Sequence, residues 1–225
     1  AKYARLTPDR VALIDIPNER RITFSQLDQR VRQLGNALLT EFGLVKGDRV
    51  AVIARNCIEY MEVYYACARC GLIVQPINWR LGQQEMTTIL RDGEPRVVIL
   101  SHEYSELEAA LAPDLDIPHW LGFGDGSNGR YEIALGSGSA DEPAVSQHVG
   151  NDDPVLILYT GGTTGESKGA LHTHRSLYTG MLNQTVAERI VPTDVYMLTG
   201  QMFHIPVALA MNYQAHGCPL VLINF

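Results

Sequence analysis

Residues 159–169, YTGGTTGESKG, constrain the fold of this chain more than any other stretch. They hold four glycines, three threonines, one serine and one lysine, and they directly follow the apolar run VLIL. Glycine permits positive φ and a close approach of the backbone to a ligand. Converging N–H groups, together with hydroxyl and ammonium donors, suit an anion. The stretch therefore predicts a loop that holds a polyphosphate.

The loop differs from the common P-loop, in which Gly-Lys-Ser/Thr follows a first glycine at the start of a helix. Here Glu166 follows Gly165, and Lys168 comes three residues after that glycine. The GALHTH segment after Lys168 has the composition of a short extended return segment, which predicts a strand–loop–strand hairpin. The alternative is a plain Gly/Ser/Thr surface loop, but such loops seldom follow a strand of buried type.

The stretch resembles the conserved loop of the AMP-forming adenylating enzymes, whose usual form is Tyr/Phe-Thr-Ser-Gly-Thr-Thr-Gly-x-Pro-Lys-Gly. Here a glycine replaces the serine and Ser167 replaces the proline. The resemblance implies that six residues contact the β- and γ-phosphates of ATP: Thr160, Gly161, Gly162, Thr163, Thr164 and Gly165. It also implies that Lys168 is a mobile catalytic cation near the departing pyrophosphate. Thr173 and His174, which match the family just after the loop, are expected to be structural.

A second segment, MFH at residues 202–204, resembles the family's Pro-x-Phe-His-x-x-Gly sequence. There the histidine lies beside the incoming carboxylate, which implies a catalytic role for His204. Gln201 replaces the proline and Val207 the glycine. A β-branched side chain narrows the space that glycine leaves, so the size of the acyl group cannot be inferred from other members of the family. A capping or core histidine is the alternative.

Members of this superfamily, which includes acyl-CoA synthetases, join ATP and a carboxylic acid into an acyl-adenylate and pyrophosphate, and then pass the acyl group to a thiol. The resemblance implies an acid–thiol ligase for a fatty or aryl acid, with ATP, Mg²⁺ carried by ATP, and coenzyme A. A carrier-protein-loading adenylation domain and a non-catalytic nucleotide-binding fragment are the alternatives. The family's adenine, ribose and magnesium motifs and its C-terminal catalytic lysine lie beyond Phe225. We therefore expect these residues not to adenylate a substrate by themselves.

Strands and helices alternate through the chain, which predicts right-handed βαβ crossovers and an α/β fold with mostly parallel sheets flanked by helices. The order of elements also resembles the N-terminal sub-domains of acyl-CoA synthetases, truncated. One helix is predicted from Ser25, its N-cap, to a stop at Gly43.

Residues 121–153 are rich in Gly, Ser and Asp, so they are predicted to connect a first α/β sub-domain (1–120) to the start of a second (154–225). Within this connection only a short strand at 131–135 is predicted. His102, His119 and His148 have no ligand-like spacing and are expected to be surface histidines.

The formal charge of −7 argues against a nucleic-acid surface. The chain has four cysteines: Cys57, Cys67, Cys70 and Cys218. Cys67 and Cys70 form a single CxxC pair, and no second pair completes a zinc site, so the cysteines are predicted to be buried and reduced. No apolar run approaches the ~18 residues of a membrane span. We expect a cytoplasmic protein whose partners are the acid, ATP and CoA, and the sequence leaves a homo-oligomer open.

Overall fold

The computed structural model describes residues 2–161 and 167–224, and its helices and strands alternate as predicted. In chain order the elements are α1 (Lys2–Leu6), β1 (Val11–Asp15), β2 (Arg20–Thr23), α2 (Phe24–Thr40), β3 (Arg49–Ile53), α3 (Ile58–Cys70), β4 (Ile73–Pro76), α4 (Gln83–Gly93), β5 (Val97–Ser101), α5 (Glu106–Leu111), β6 (His119–Phe123), α6 (Arg130–Ser137), β7 (Pro154–Gly161), β8 (Ser167–Thr173), α7 (His174–Glu188), β9 (Tyr196–Leu198), α8 (Pro206–Ala215) and β10 (Leu220–Leu222).

The strands form two mostly parallel sheets. The larger sheet has the order β6-β5-β3-β4-β7-β8, and only its last pair, β7 and β8, is antiparallel. The smaller sheet has the order β2-β1-β10-β9, with β2 antiparallel to β1. The predicted fold class is confirmed. The division into sub-domains 1–120 and 154–225 stays a proposal. The two sheets do not follow it, because each sheet contains strands from both sides of residues 121–153.

Buried apolar side chains form one large cluster that joins both sheets to α2 and α3. A smaller cluster covers the other face of the larger sheet, beneath α4. The helices α2 and α3 are thus packed between the two sheets. Within each sheet, the carboxyl ends of neighbouring parallel strands lie along the same side. These carboxyl ends are where the candidate site lies.

The start of α2 differs from the prediction. Thr23, not Ser25, is the N-cap: its hydroxyl accepts the Gln26 N–H, and the Gln26 side chain accepts the Thr23 N–H. This capping box makes Phe24 the first helical residue and places Ser25 inside the first turn. The helix ends at Thr40, and Gly43 follows in a left-handed conformation with φ of 65°.

The predicted strand at residues 131–135 is wrong, because this segment is helix α6. Its buried residues, Tyr131, Ala134 and Leu135, are spaced for one face of a helix. The Tyr131 hydroxyl donates to Glu62 at 2.7 Å, which fixes α6 against α3. Residues 121–123, expected at the start of the connection, belong instead to strand β6.

The four cysteines are unpaired and buried, as predicted. Burial raises the pKa of the Cys57 and Cys67 thiols, which favours the unreactive protonated form. His102 and His148 are exposed, whereas His119 is half-buried and its ring lies 5.0 Å from that of Phe42. Within residues 2–161 and 167–224, no helix is both long and apolar enough to cross a bilayer.

Candidate functional site

The glycine-rich stretch lies at the end of a β-hairpin, as predicted. Strands β7 and β8 pair antiparallel up to its tip, with Thr160 opposite Lys168 and Gly161 opposite Ser167. The structure therefore fixes both ends of the loop. Four of the residues predicted to contact phosphate lie outside the described residues, and these are Gly162, Thr163, Thr164 and Gly165.

Two contacts fix the end of β7. A Cβ atom at Gly169 would lie 2.7 Å from Cδ1 of Ile157 and 3.1 Å from the Tyr159 ring, so a larger residue there would require the Ile157 side chain to shift. The Tyr159 hydroxyl donates to Oδ2 of Asp92, at the end of α4, at 2.6 Å. Burial first, and this hydrogen bond second, raise the pKa of Tyr159. The phenol therefore stays protonated and anchors the hairpin to α4.

The hairpin ends and the MFH segment meet in one small cavity of about 150 Å³. Thr160 and Ser167 line it from the hairpin, and Phe203 and His204 line it from the turn before α8. The remaining lining residues are Pro76, Ile77, Asn78, Leu81, Glu85, Ile89 and Tyr159. The structure thus brings together two segments more than 30 residues apart in sequence, the hairpin and the MFH segment.

Lys168 is close to this cavity but is not among the described residues that line it. It is exposed on β8, one residue from Ser167 and in register with Thr160. Its charge is free to approach an anion at the hairpin end, because a lysine carries its ammonium on a flexible four-carbon stem.

The turn that carries His204 is held by contacts on its N-terminal side. The Gln201 side chain accepts a hydrogen bond from the Trp79 indole at 3.2 Å. A side chain at Gly200 would overlap the ring of Pro206, so glycine is required where α8 begins. His204 is exposed and donates its backbone N–H to the Gln201 carbonyl at 3.1 Å. The imidazole is therefore presented at the cavity rather than buried as a core histidine.

A cationic and aromatic group surrounds Trp79, whose indole binds the Gln201 side chain. The guanidinium carbons of Arg55 and Arg80 lie 5.0 and 4.7 Å from the centre of the Trp79 ring, and Tyr104 stacks on Trp79 at 6.1 Å. Cation–π contact of this kind holds positive charge in place. These residues come from three separate segments, so their sequence spacing gave no signal for the group.

A second, larger cavity of about 710 Å³ lies between α2, α3, α7 and α8. Its lining is mainly apolar and includes Tyr64, Val207 and Met211. Val207, at the family's glycine position, thus lines the larger cavity, and it is 1% exposed. His174 also lies there, at the start of α7, after an N-cap formed by Thr173.

Carboxylates near the small cavity have other partners. Glu85 accepts the Gly82 N–H at 3.1 Å and Asp92 accepts the Tyr159 hydroxyl. In the part of the chain that the structure describes, no group of three or more His, Cys, Asp or Glu side chains is placed to hold a metal ion.

Comparison with known proteins gives a consistent result. A family model described as "AMP-binding enzyme" matches residues 1–224. The long-chain-fatty-acid–CoA ligase FadD13 of Mycobacterium tuberculosis is 32% identical over 94% of this chain and 41% of its own length. Feruloyl-CoA synthase of an Amycolatopsis species is 32% identical over 81% of this chain and 34% of its own length. This chain therefore spans about two fifths or less of each of these relatives.

Solved structures agree with the sequence comparison. The inhibitor-bound N-terminal domain of FACL13 from Mycobacterium tuberculosis superposes with a TM-score of 0.89 at 30% identity, over 99% of this chain and 55% of that one. The fold of this chain is thus shared with an N-terminal domain of known structure.

Proposed function

The chain belongs to the AMP-binding enzyme family, and on that premise we propose that it carries the phosphate-binding side of an AMP-forming acid–thiol ligase. The proposed reaction joins ATP and a fatty or aryl acid into an acyl-adenylate and pyrophosphate; a thiol then attacks the acyl carbon, which forms the thioester and releases AMP. The single observation that supports it best is the small cavity in which the ends of the glycine-rich hairpin face Phe203 and His204.

The hairpin is proposed to hold the β- and γ-phosphates of ATP. Thr160 and Ser167 line the cavity from the two strands of the hairpin, and each can offer a backbone N–H or a hydroxyl as donor. Donors fixed in this way stabilise developing negative charge without reorganising during the reaction. Lys168 adds a unit charge next to them, suited to pyrophosphate as it leaves.

His204 is proposed to lie beside the carboxylate of the acid. A carboxylate must approach the α-phosphorus in line with the departing pyrophosphate, and holding two anions in that geometry supplies much of the acceleration. The cavity places His204 opposite the hairpin ends, so phosphate and carboxylate would meet between them.

Coenzyme A is the proposed acceptor, because the fatty-acid and feruloyl relatives are named as CoA-linked enzymes. A carrier-protein thiol is the other outcome of the test. The relatives are more than twice the length of this chain, and we therefore expect the 225 residues alone to bind ATP or pyrophosphate without turnover.

The test measures acid-dependent ATP–pyrophosphate exchange and thioester formation by the complete gene product, with fatty and aryl acids and with CoA or a carrier protein offered. His204→Ala is expected to lower exchange by about tenfold or more, equivalent to ~1.4 kcal/mol of transition-state stabilisation. His148→Ala, an exposed histidine outside the cavity, is the matched control. Unchanged exchange by His204→Ala across all acids would count against the assignment, and ATP binding without exchange would indicate a nucleotide-binding protein.

A further inference from the structure

Asn56, just past the end of β3, is 1% exposed and all of its polar groups are hydrogen-bonded. Its side-chain amide donates to the carbonyls of Gly200 at 2.8 Å and Ile223 at 3.0 Å, and its side-chain oxygen accepts the Met202 N–H at 2.8 Å. Its backbone exchanges two hydrogen bonds of 3.1 Å with the side chain of Asn224. One residue thus ties the larger sheet to both segments that leave the smaller sheet.

The segment held by Asn56 ends at His204. Met202 is fixed on both sides, since its N–H is bound by Asn56 and its carbonyl accepts the buried Tyr64 hydroxyl at 2.8 Å. Met202 itself is 1% exposed, whereas His204, two residues later, is exposed at the small cavity. The backbone that delivers the imidazole is therefore anchored in the core immediately before it emerges.

We infer that Asn56 is a positioning residue that sets the location of Phe203 and His204 relative to the phosphate-binding hairpin. A buried amide whose donors and acceptor are all used defines one arrangement of the chain, because any displacement leaves a polar group unpaired at a cost. Asn56 is not among the described residues that line the cavity, and its side chain binds Gly200, Met202 and Ile223, so it acts through Met202 and Gly200.

Asn212 on α8 provides a matched control. It is also 1% exposed, and its side chain likewise donates two hydrogen bonds and accepts one, all with α7. Substitution of either residue by alanine removes the same number of buried hydrogen bonds. A general loss of stability should therefore be similar in Asn56→Ala and Asn212→Ala, whereas a loss of His204 positioning should be confined to Asn56→Ala.

The primary experiment records the imidazole ¹H–¹³C spectrum of the 225-residue chain labelled at histidine, with His204 assigned by His204→Gln. Asn56→Ala should shift or broaden the His204 signal, and Asn212→Ala should leave it in place. Asn56→Asp keeps an acceptor for the Met202 N–H but sets a carboxylate oxygen against the carbonyls of Gly200 and Ile223, so it should also shift the His204 signal and serves if the alanine variant does not fold. An unmoved His204 signal in a folded Asn56 variant, or equal shifts in Asn56→Ala and Asn212→Ala, would overturn the inference.

The inference rests on the proposed function only for the chemical role of His204. A second measurement separates the positioning role of Asn56 from the proposed function. In the complete gene product, Asn56→Ala should lower acid-dependent exchange, and adding it to His204→Ala should cause no further loss, because residues that act as a unit are not additive. Fully additive losses would contradict positioning through His204. Absence of any exchange would contradict the proposed function and leave the spectroscopic result to decide the role of Asn56.

Discussion

Replacement of Lys168 tests whether the hairpin holds phosphate. Lys168 is exposed, lies in register with Thr160 and follows Ser167, one of the residues that line the small cavity. We expect Lys168→Ala to weaken ATP and pyrophosphate binding by the 225-residue chain while the fold stays intact.

The magnitude follows from the exposure of this side chain. Two unit charges 4 Å apart attract by about 1 kcal/mol in water and about 4 kcal/mol near a protein surface. Lys168 is exposed, so the lower part of this range applies, and about 1–2 kcal/mol corresponds to a roughly 5- to 30-fold weaker affinity. The difference from the wild type should shrink as salt is raised, because exposed charges are screened within ~10 Å at 0.1 M ionic strength.

Calorimetric titration with ATP and with pyrophosphate, at low and high salt, measures this effect. Lys168→Arg keeps the charge and should retain most of the affinity. Lys2→Ala removes the lysine whose ammonium lies 5.0 Å from the Tyr3 ring and which lines the larger cavity, not the small one, and should bind like the wild type. Equal affinity of Lys168→Ala and wild type at low salt, or an equal loss in Lys2→Ala, would refute phosphate binding by the hairpin.

Three further predictions concern stability. Arg30→Met should lower the free energy of unfolding by about 2–4 kcal/mol, because the fully buried Glu62 carboxylate loses the Arg30 guanidinium that lies 2.6 Å from it. The midpoint of thermal unfolding should fall by about 4–16 °C. A loss under about 1 kcal/mol, typical of a surface ion pair, would contradict this prediction. Burial lowers the pKa of His174 below its ordinary 6.5, so as the pH falls the unfolded chain binds a proton before the folded chain does, and stability falls below that pH. In urea titrations, His174→Gln should therefore lose less stability than the wild type on acidification. Equal losses in the two proteins would disprove this. Gly200→Ala should cost about 1–3 kcal/mol by overlap with the proline at the start of α8, whereas Gly136→Ala, with open space around it, should cost nothing measurable by calorimetry.

The hairpin and the sheet class could be predicted because their signals are local. Glycine and threonine composition after a buried-type run indicates a turn between two strands, and alternating elements indicate parallel pairing. Helix α6 was missed because its segment, GRYEIALGS, follows a glycine-rich stretch and its apolar residues also fit a short strand. Only the structure shows which of these residues are buried, namely Tyr131, Ala134 and Leu135, and this selects the helical spacing.

The candidate site could be predicted only in parts. Thr160 and His204 are each predicted from their own motifs, but their meeting in one cavity depends on how β7 and the turn before α8 are placed by two different sheets. Asn56 gave no signal, because the hydrogen-bond partners of its side chain are backbone groups 144 to 167 residues away. Partners at such separation are fixed by the tertiary fold and not by local spacing.

The most direct test of the account is a titration of the isotopically labelled chain with pyrophosphate, followed through backbone amide and histidine signals. The account predicts that the amides of Thr160, Ser167 and Lys168 and the imidazole of His204 shift together along one saturable curve. Shifts confined to the cationic group around Trp79, or to the lining of the 710 Å³ cavity, would contradict it.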